Sequence, residues 1–432
     1  MRVAFLVSGA GGMYCGSCLR DNRLAGRLIA QNRDVVLLPL YTPLKTDEPD
    51  AGGGRIYYGG LNVYLQQSLR FFRTARGAID RILDARPLLR SIGRFASGTR
   101  PDDLGPLTVS ILRGHDGAQK KELDKLIEAL DIIRPDLINL PQLMLLGLAP
   151  RLKQALGVPI VCTLGGEDIF LDRLPQPHRD DALRLIADRI PDVDAFIAVT
   201  RFYADHATRR FELPPDRVHY VPMGVTVDAF ACASPHPNAP FTIGYLARNC
   251  RDKGLHVLVD AFIRLRADGR DCRLRVAGFL AAADRPFFNE IRAQIRRHRL
   301  DPHVDFVGEL DFPGKVQFLQ SLHAFSVPAV YPEAKGLYIL ESLASGVPVV
   351  QPRSGSFPEL VESTGGGILV APDDPNDLAD GLARLVNDPA LRTRLAASGR
   401  SAVASHHNET QMADKTWEIY QRLTANRIRR TS

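Results

Sequence analysis

Short apolar runs alternate with longer amphipathic stretches along this chain, and the pattern predicts the elements of an α/β protein. The first apolar run covers residues 2–8, and a helical pattern from about residue 18 to residue 32 leads to a second run at residues 34–39. Strands that are buried on both faces read as continuous apolar runs, which is typical of parallel sheets covered by helices. The opening therefore predicts a strand, helix, strand unit of a doubly wound sheet.

The same alternation continues to the end of the chain. Helices are predicted at residues 119–134, 146–156, 286–299, 337–345, 375–386, 390–401 and 410–428. Further strands are predicted at residues 136–140, 158–164, 193–199, 241–247, 272–278, 304–308, 324–330, 347–352 and 367–371.

One stretch breaks the alternation and divides the chain in two. Residues 231–240 read ACASPHPNAP, and a Pro, Ala and Ser composition of this kind is typical of an interdomain linker. A chain of 432 residues also exceeds the usual size of a single core. We predict a first domain at residues 1–230, a second at residues 231–408 and a separate terminal segment at residues 409–432.

Candidate chemistry is concentrated at residues 331–341, which read YPEAKGLYILE. Glu333 and Glu341 bracket a turn between a predicted strand and a predicted helix, with Gly336 between them. The first amides of a helix lack intrahelical partners and lie at its positive dipole end, so such a turn can bind an anion. Two carboxylates at that turn suit a ligand with phosphate and many hydroxyls, such as a nucleotide sugar. An ordinary loop with solvated glutamates is the alternative.

A second candidate set follows the strand at residues 241–247. The segment RNCRDKG carries Arg248 and Lys253 five positions apart. Two fixed cations at a strand end can neutralise the charge on a departing nucleoside diphosphate. Solvated surface residues are the alternative.

These motifs together resemble those of the retaining GT-B glycosyltransferases of family 4. The resemblance is carried by Glu333 and Glu341 with seven residues between them, by SLASGVPVV and SGSFPELV after them, and by the pattern from Gly244 through Arg248 to Lys253. It implies an α/β fold of GT-B type, with two facing Rossmann-like doubly wound domains and an interdomain cleft. It also implies that the terminal helix crosses back to the first domain.

The resemblance further implies an activity. The enzyme would move a sugar from a nucleotide-sugar donor to a hydroxyl acceptor with retained configuration, by a front-face mechanism, without a metal or another cofactor. A GT-B-shaped phosphorylase and a non-catalytic nucleotide- or sugar-binding protein remain alternatives.

By resemblance, the second domain holds the donor. Arg248 and Lys253 would bind the diphosphate, Glu341 the ribose hydroxyls and Glu333 the hydroxyls of the donor sugar. The remaining donor contacts would come from backbone and small residues, namely Gly244, Gly308 to Leu310, Gly336, Leu337 and Tyr338.

The first domain resembles the family less closely. Gly11 and Gly12 lie in the loop that would face the diphosphate and the acceptor. Gly165 stands where the family commonly has a histidine near the anomeric carbon. Glu167 or Asp168 could bind acceptor hydroxyls or act as a base, and capping of the following helix is the alternative.

Lys335 is a second departure, because the family commonly has an aromatic residue at this position. Its ammonium could contact an acidic donor sugar such as a uronic acid. The alternative is that it faces phosphate or solvent.

Composition and charge narrow the setting. Hydrophobic residues make up 45% of the chain and no apolar run approaches the roughly 20 residues of a membrane span, while the N-terminal run is too short for a signal peptide. We therefore expect a cytoplasmic protein. The net charge of +6 favours anionic partners of several kinds. A UDP- or GDP-linked sugar is the expected donor, and no nucleic acid is expected.

Two segments leave alternatives open. Residues 69–95 interleave arginines with apolar residues, which fits a helical hairpin packed on the domain or a membrane-surface contact for a lipid-linked acceptor. Cys15 and Cys18 form a single CxxC at a predicted helix start, which fits small-residue packing or a redox pair.

Overall fold

The computed structural model describes residues 1–8, 16–41, 50–51, 101–230 and 240–431. The predictions for Gly11, Gly12, Cys15, residues 69–95 and the linker at 231–239 lie outside these residues. The chain divides into two compact units, of which the first comprises Met1–Pro222 with Met412–Ser432 and the second comprises Met223–Gln411.

Unit 1 is built on a six-stranded parallel sheet in the order β2-β1-β3-β4-β5-β6. Its strands are β1 (Arg2–Val7), β2 (Asp34–Pro39), β3 (Leu137–Leu140), β4 (Ile160–Leu164), β5 (Ala195–Ala198) and β6 (Val218–Tyr220). All residues of β3, β4 and β5 are buried, as expected for strands covered by helices on both faces.

The described helices of unit 1 alternate with these strands. They are Gly16–Ala30, Pro101–Leu112, Lys120–Ile133, Ala149–Leu156, Asp168–Asp172, His178–Arg189 and Arg201–Phe211. The terminal helix Glu409–Thr431 also packs here, with Met412, Trp417 and Tyr420 in the same buried cluster as Phe5. The Tyr420 hydroxyl donates to Asn139 Oδ1 at 3.1 Å, so the helix is tied to β3 by a buried hydrogen bond.

Unit 2 repeats the architecture with the strand order β12-β11-β10-β7-β8-β9, again all parallel. Its strands are β7 (Phe241–Leu246), β8 (Cys272–Ala277), β9 (Val304–Gly308), β10 (Ala324–Phe325), β11 (Val349–Pro352) and β12 (Gly367–Val370). Its described helices are Leu255–Ala267, Arg285–Arg297, Phe312–Gln320, Leu337–Ala344, Phe357–Thr364, Pro375–Asn387 and Pro389–His406. Two parallel sheets with flanking helices confirm the predicted α/β class.

One predicted strand is much shorter than expected. The apolar run at residues 324–330 predicts seven residues of strand, but β10 ends at Phe325. Proline at position 328 has no N–H to donate to a neighbouring strand. The chain instead leaves the sheet, and the Val330 amide donates to the Asp252 carbonyl at 3.0 Å. The run after β10 therefore packs against the loop that follows β7.

No helix in the described ranges combines the length and the apolar composition that a membrane crossing requires.

Gly254 lies at a close contact between the loop after β7 and the run after β10. Its φ is +71°, and a Cβ at this position would lie 1.7 Å from the Pro328 carbonyl oxygen. Only glycine allows the backbone after Lys253 to pack directly on the chain after β10.

This contact predicts a large cost for the Gly254→Ala variant. Gly269 is a matched control, because its φ is +77° and no atom lies within 4 Å of the position of an added Cβ. Gly269→Ala should cost about 1 kcal/mol for the left-handed backbone alone. Gly254→Ala should cost about 1–3 kcal/mol more, because the two segments must separate. Chemical denaturation measures both values, and equal losses would contradict the close packing.

Candidate functional site

The candidate donor residues lie at the carboxyl ends of two neighbouring strands of unit 2. Arg248 and Lys253 follow β7, and the turn bracketed by Glu333 and Glu341 follows β10. β7 and β10 are adjacent in the sheet, and ligands of open parallel sheets bind at the carboxyl ends of strands. The fold thus brings together residues about 80 positions apart in the sequence.

Glu333 is the centre of a hydrogen-bond cluster. Lys253 Nζ donates to both Glu333 Oε2 and the Tyr331 hydroxyl. The hydroxyls of Tyr331 and Tyr338 also donate to Glu333 Oε2, at 2.9 and 3.2 Å. Oε2 therefore receives three donors, whereas Glu333 Oε1 accepts no hydrogen bond from any described residue.

Two aromatic rings complete this environment. The Lys253 ammonium lies 5.0 Å from the centre of the Tyr331 ring and 5.5 Å from that of Tyr338. The side chains of Lys253 and Glu333 are only 20% and 7% exposed. We call the four residues Lys253, Tyr331, Glu333 and Tyr338 the Glu333 cluster.

The electrostatics of the cluster fix its protonation states. Burial raises the pKa of Glu333, but the neighbouring Lys253 outweighs burial, with help from Lys335 and the Tyr331 hydroxyl, and lowers that pKa to about 2. Burial and the Glu333 charge raise the pKa values of Tyr331 and Tyr338 well above their ordinary value. At neutral pH the carboxylate is therefore charged and both phenols remain donors.

The backbone around Glu333 is held in place by the turn after β11. The Ser356 amide donates to the Glu333 carbonyl at 2.8 Å. A Cβ on Gly355 would lie 2.4 Å from the Glu333 nitrogen, so the two chains are in direct contact. Gly336, with φ +71°, then begins the helix Leu337–Ala344. The amides of Gly336, Leu337 and Tyr338 precede the first hydrogen bond of that helix, which runs from the Ile339 amide to the Gly336 carbonyl at 3.0 Å.

The second glutamate of the turn also has a lysine beside it. Lys315 Nζ donates to Glu341 Oε1 at 2.7 Å, and the two side chains are 7% and 5% exposed. Lys315 belongs to the helix Phe312–Gln320, which Asp311 caps by accepting from the Gly314 amide. The sequence reading missed Lys315, although a lysine between apolar residues in FPGKVQFL was a visible signal.

Arg248 forms an ion pair nearer the surface. Its guanidinium lies 2.8 Å from Asp284 Oδ2, with the arginine 44% and the aspartate 18% exposed. The following residue is fixed, because the Asn249 amide donates to the Phe279 carbonyl at 2.8 Å. Asp284 was also missed, since nothing in its local sequence connects it with Arg248.

The two donor-site glycines differ in their surroundings. A Cβ on Gly244, within β7, would lie 2.0 Å from a methyl carbon of Leu322, so this glycine allows tight packing inside the unit. Gly308 ends β9 with φ +84°, and no atom lies within 4 Å of the position of an added Cβ. The backbone at Gly308 therefore borders open space, whereas Gly244 is packed against Leu322.

In unit 1, Glu167 fixes the turn that follows β4. Its carboxylate accepts the Gly165 amide at 2.9 and 3.0 Å and the Tyr203 hydroxyl at 3.0 Å. Glu167 occupies the N-cap position of the helix Asp168–Asp172, but its side chain makes no capping hydrogen bond. The capping interpretation is therefore wrong for Glu167, because the carboxylate turns back to the Gly165 amide.

Asp168 contacts two side chains of the helix Arg201–Phe211. It accepts the Tyr203 hydroxyl at 2.8 Å, and its other oxygen lies 3.1 Å from His206 Nε2. One turn further along both helices, Arg210 donates to Asp172 at 2.8 Å. The Asp168 and His206 pair thus belongs to a row of polar contacts between two helices.

Among the described residues, no three His, Cys, Asp or Glu side chains are grouped so that they could hold a metal ion. Cys18 is buried, and its CxxC partner Cys15 lies outside the described residues.

Comparisons with known proteins match both units. Residues 229–402 match the family described as Glycosyl transferases group 1, and residues 58–229 match Glycosyltransferase Family 4. A phosphatidyl-myo-inositol mannosyltransferase of Mycobacterium tuberculosis is 29% identical over 48% of this chain and 54% of its own length. A GDP-mannose-dependent monoacylated phosphatidylinositol monomannoside mannosyltransferase of Corynebacterium glutamicum is 27% identical over 64% of this chain and 72% of its own length. The match to the first of these relatives thus spans about half of that protein.

Solved structures share the whole fold. Sucrose-phosphate synthase of Thermosynechococcus elongatus superimposes with a TM-score of 0.70 at 18% identity, covering 99% of this chain and all of that one. The Anabaena protein HepE in complex with UDP superimposes with a TM-score of 0.69 at 16% identity, covering 98% of this chain and all of that one. At these identities the likeness concerns the fold alone.

The Glu333 cluster predicts a strong coupling between its two charges. Glu333→Gln should destabilise the protein by about 3 kcal/mol, because it leaves the Lys253 ammonium without its counter-charge. Adding Lys253→Met should recover most of the loss, because both charges are then removed. Chemical denaturation followed by circular dichroism at pH 7 measures the three variants, and strictly additive losses would contradict the pairing.

The same cluster gives this stabilisation a definite pH dependence. The folded-state pKa of Glu333 is about 2, below the ordinary value of 4.5, so the contribution is complete above about pH 4.5 and is lost as pH falls toward 2. The difference in free energy of unfolding between the unaltered protein and the double variant should thus be equal at pH 7 and pH 6 and smaller at pH 3. Chemical denaturation at the three pH values measures it.

Proposed function

We propose that this chain transfers a sugar from a nucleotide-sugar donor to a hydroxyl acceptor. The premise is that it belongs to the group 1 glycosyltransferases, whose family models match it. The observation that carries the proposal is the turn of unit 2 bracketed by Glu333 and Glu341, each paired with a lysine: the partly buried Lys253 and the buried Lys315. Lys253 keeps the Glu333 carboxylate charged at neutral pH, close to the first amides of a helix. Hydroxyls and phosphates are the groups that such a site binds best.

The diphosphate would bind Lys253 and Arg248. An ammonium has three N–H donors, and the Lys253 ammonium gives two of them to Glu333 and Tyr331, which leaves one for a phosphate oxygen. The Arg248 pair with Asp284 is partly exposed, and exposed ion pairs contribute little stability. Arg248 can therefore exchange this partner for phosphate at small cost.

The sugar would bind on the other side of the same turn. Glu333 Oε1 is the carboxylate oxygen without a described donor, so it is the acceptor for donor-sugar hydroxyls. The amides of Gly336, Leu337 and Tyr338 would bind phosphate or sugar oxygens. Glu341 would accept the ribose hydroxyls, and the backbone from Gly308 to Leu310 would contact the nucleobase.

The mechanism we propose retains the anomeric configuration. The bond between the anomeric carbon and the phosphate oxygen breaks, and the acceptor oxygen bonds to that carbon on the same face. The departing phosphate oxygen takes the acceptor's proton, so a histidine at Gly165 is not required. Lys253 and Arg248 neutralise the charge that develops on the leaving group, in place of a metal ion.

Unit 1 would bind the acceptor, and Asp168 is the carboxylate that we propose for this role. Both Asp168 and Glu167 accept hydrogen bonds, but Glu167 holds the backbone amide of Gly165, whereas Asp168 contacts the side chains of Tyr203 and His206. We therefore assign Glu167 to holding the turn rather than to proton transfer. The relatives named above include mannosyltransferases of phosphatidylinositol lipids, which supports a lipid-linked acceptor. We propose that the chain reaches such an acceptor at the cytoplasmic face of a membrane. The GDP-mannose dependence of one relative and the UDP complex of HepE support GDP- and UDP-linked sugars as the donors to test first.

The role of Lys253 predicts a specific loss in Lys253→Met. UDP or GDP at millimolar concentration should raise the melting temperature of the unaltered protein, because a ligand that binds only the folded state stabilises it. In Lys253→Met this shift should vanish, and sugar transfer should fall by about 10² or more.

Arg251→Met is the matched control for that experiment. Arg251 lies in the same short turn, is 60% exposed and pairs with Glu290 at the surface, so its loss should change neither readout. The proposal fails if no nucleoside diphosphate stabilises the unaltered protein, or if sugar is released only when inorganic phosphate replaces the nucleotide, which would indicate a phosphorylase.

Lys335 predicts the class of donor sugar. Its charge helps to lower the pKa of Glu333, the carboxylate that we assign to sugar hydroxyls, and only Ala334 separates the two residues in the chain. We expect a uronic acid donor to be preferred over its neutral hexose counterpart, and Lys335→Phe to abolish that preference. Competition assays with paired donors measure the ranking, and an unchanged ranking in Lys335→Phe would contradict this role.

A further inference from the structure

The pair of Lys315 and Glu341 lies in an unusually apolar environment. The Lys315 ammonium is 5.1 Å from the centre of the Phe312 ring and 5.6 Å from that of Phe230. These two rings contact each other edge to face at 5.6 Å, and Phe230 is completely buried. Two aromatic rings and the Glu341 carboxylate thus lie next to the ammonium.

Stability alone does not explain such a pair. Removing two charges from water is costly, and replacing a buried ion pair with apolar residues of similar volume is often neutral or stabilising. The other residues of the surrounding helix face are apolar, and Phe318 and Leu319 are 3% and 0% exposed. A methionine or leucine at position 315 would continue that face without a charge.

The position of the pair connects two segments that we assign to the nucleoside. Lys315 lies in the first half of the helix Phe312–Gln320, which begins directly after the stretch from Gly308 to Leu310. Glu341 lies in the helix that begins after Gly336, and its Oε1 is held at 2.7 Å from the ammonium. This contact restricts the rotation of the Glu341 carboxylate, so it biases the direction of that group before a ligand arrives.

We propose that Lys315 is a positioning residue that orients the Glu341 carboxylate toward the ribose hydroxyls of the nucleotide and so selects ribose over deoxyribose. The inference rests on the proposed function, because it assumes a nucleotide donor at this turn. Lys315 itself contacts Glu341 and not the sugar. Lys315 therefore affects the relative affinity for ribose and deoxyribose nucleotides. Only the ribose hydroxyls need a correctly oriented carboxylate as their acceptor.

The test compares affinities for ribose and dideoxyribose nucleotides. The probes are UDP and GDP, each paired with its 2′,3′-dideoxy analogue, titrated by calorimetry into the full chain and its variants. The unaltered protein should prefer the ribose form by about tenfold or more, since a hydrogen bond to a charged group contributes about 1.5–3 kcal/mol. Lys315→Met should reduce that preference to less than about threefold, by weakening binding of the ribose form alone.

Two further variants separate positioning from a structural role. Glu341→Gln should reduce the preference to the same level, and the double variant should lose no more, because both changes act on one interaction. Lys125→Met is the matched control: Lys125 pairs at 3.1 Å with the buried Glu122 in unit 1, so the same substitution there should leave the preference unchanged.

Each outcome has one meaning. Equal weakening of both sugar forms in Lys315→Met, or an unchanged preference, overturns the inference and leaves the proposed function standing. Binding of both forms by the unaltered protein without preference also overturns the inference alone. Failure of the unaltered protein to bind any of the four nucleotides overturns the inference, and the proposed function fails as well if no other nucleoside diphosphate stabilises the protein.

Discussion

A buried carboxylate stays charged only when a cation or several donors lie next to it, and the site in unit 2 is organised by this requirement. Glu333 is buried in the turn after β10, and its charge depends on Lys253 from the loop after β7. Glu341 is buried in the helix Leu337–Ala344, and Lys315 contacts it from the helix Phe312–Gln320. The two pairs hold three separate segments at one edge of the sheet.

The backbone contacts around the turn serve the same arrangement. Gly254 lets the loop that carries Lys253 lie directly on the Pro328 carbonyl, in the segment that leads to Glu333. The run after β10 must also leave the sheet early, and the proline at position 328 ends the strand pairing. Glu333 is held from the opposite side by the turn at Gly355 and Ser356. Small residues and a short strand thus place a charged group that would otherwise be costly to bury.

Local pattern was sufficient to predict the α/β class and most element positions. Strands such as Asp34–Pro39 are short apolar runs whose burial is visible in the sequence, and the glutamates around Gly336 form a local motif with a recognisable spacing. The strand at residues 324–330 was overestimated, because an apolar run does not reveal that its last residues pack against another loop. The pairing of Lys315 with Glu341 joins residues 26 positions apart on different helices, and no local pattern encodes that contact. The ion pair of Arg248 with Asp284 likewise joins residues that are distant in the sequence. Glu167 and Gly165 are neighbours, but the sequence does not show which way the Glu167 side chain turns.

The most direct test of the central claim is the position of a nucleoside diphosphate in a crystal of the full chain. The account predicts its phosphate oxygens within about 3 Å of Lys253 Nζ and of the Arg248 guanidinium, with the ribose hydroxyls at Glu341. A diphosphate bound elsewhere, with the Glu333 cluster making no contact to it, would contradict the account.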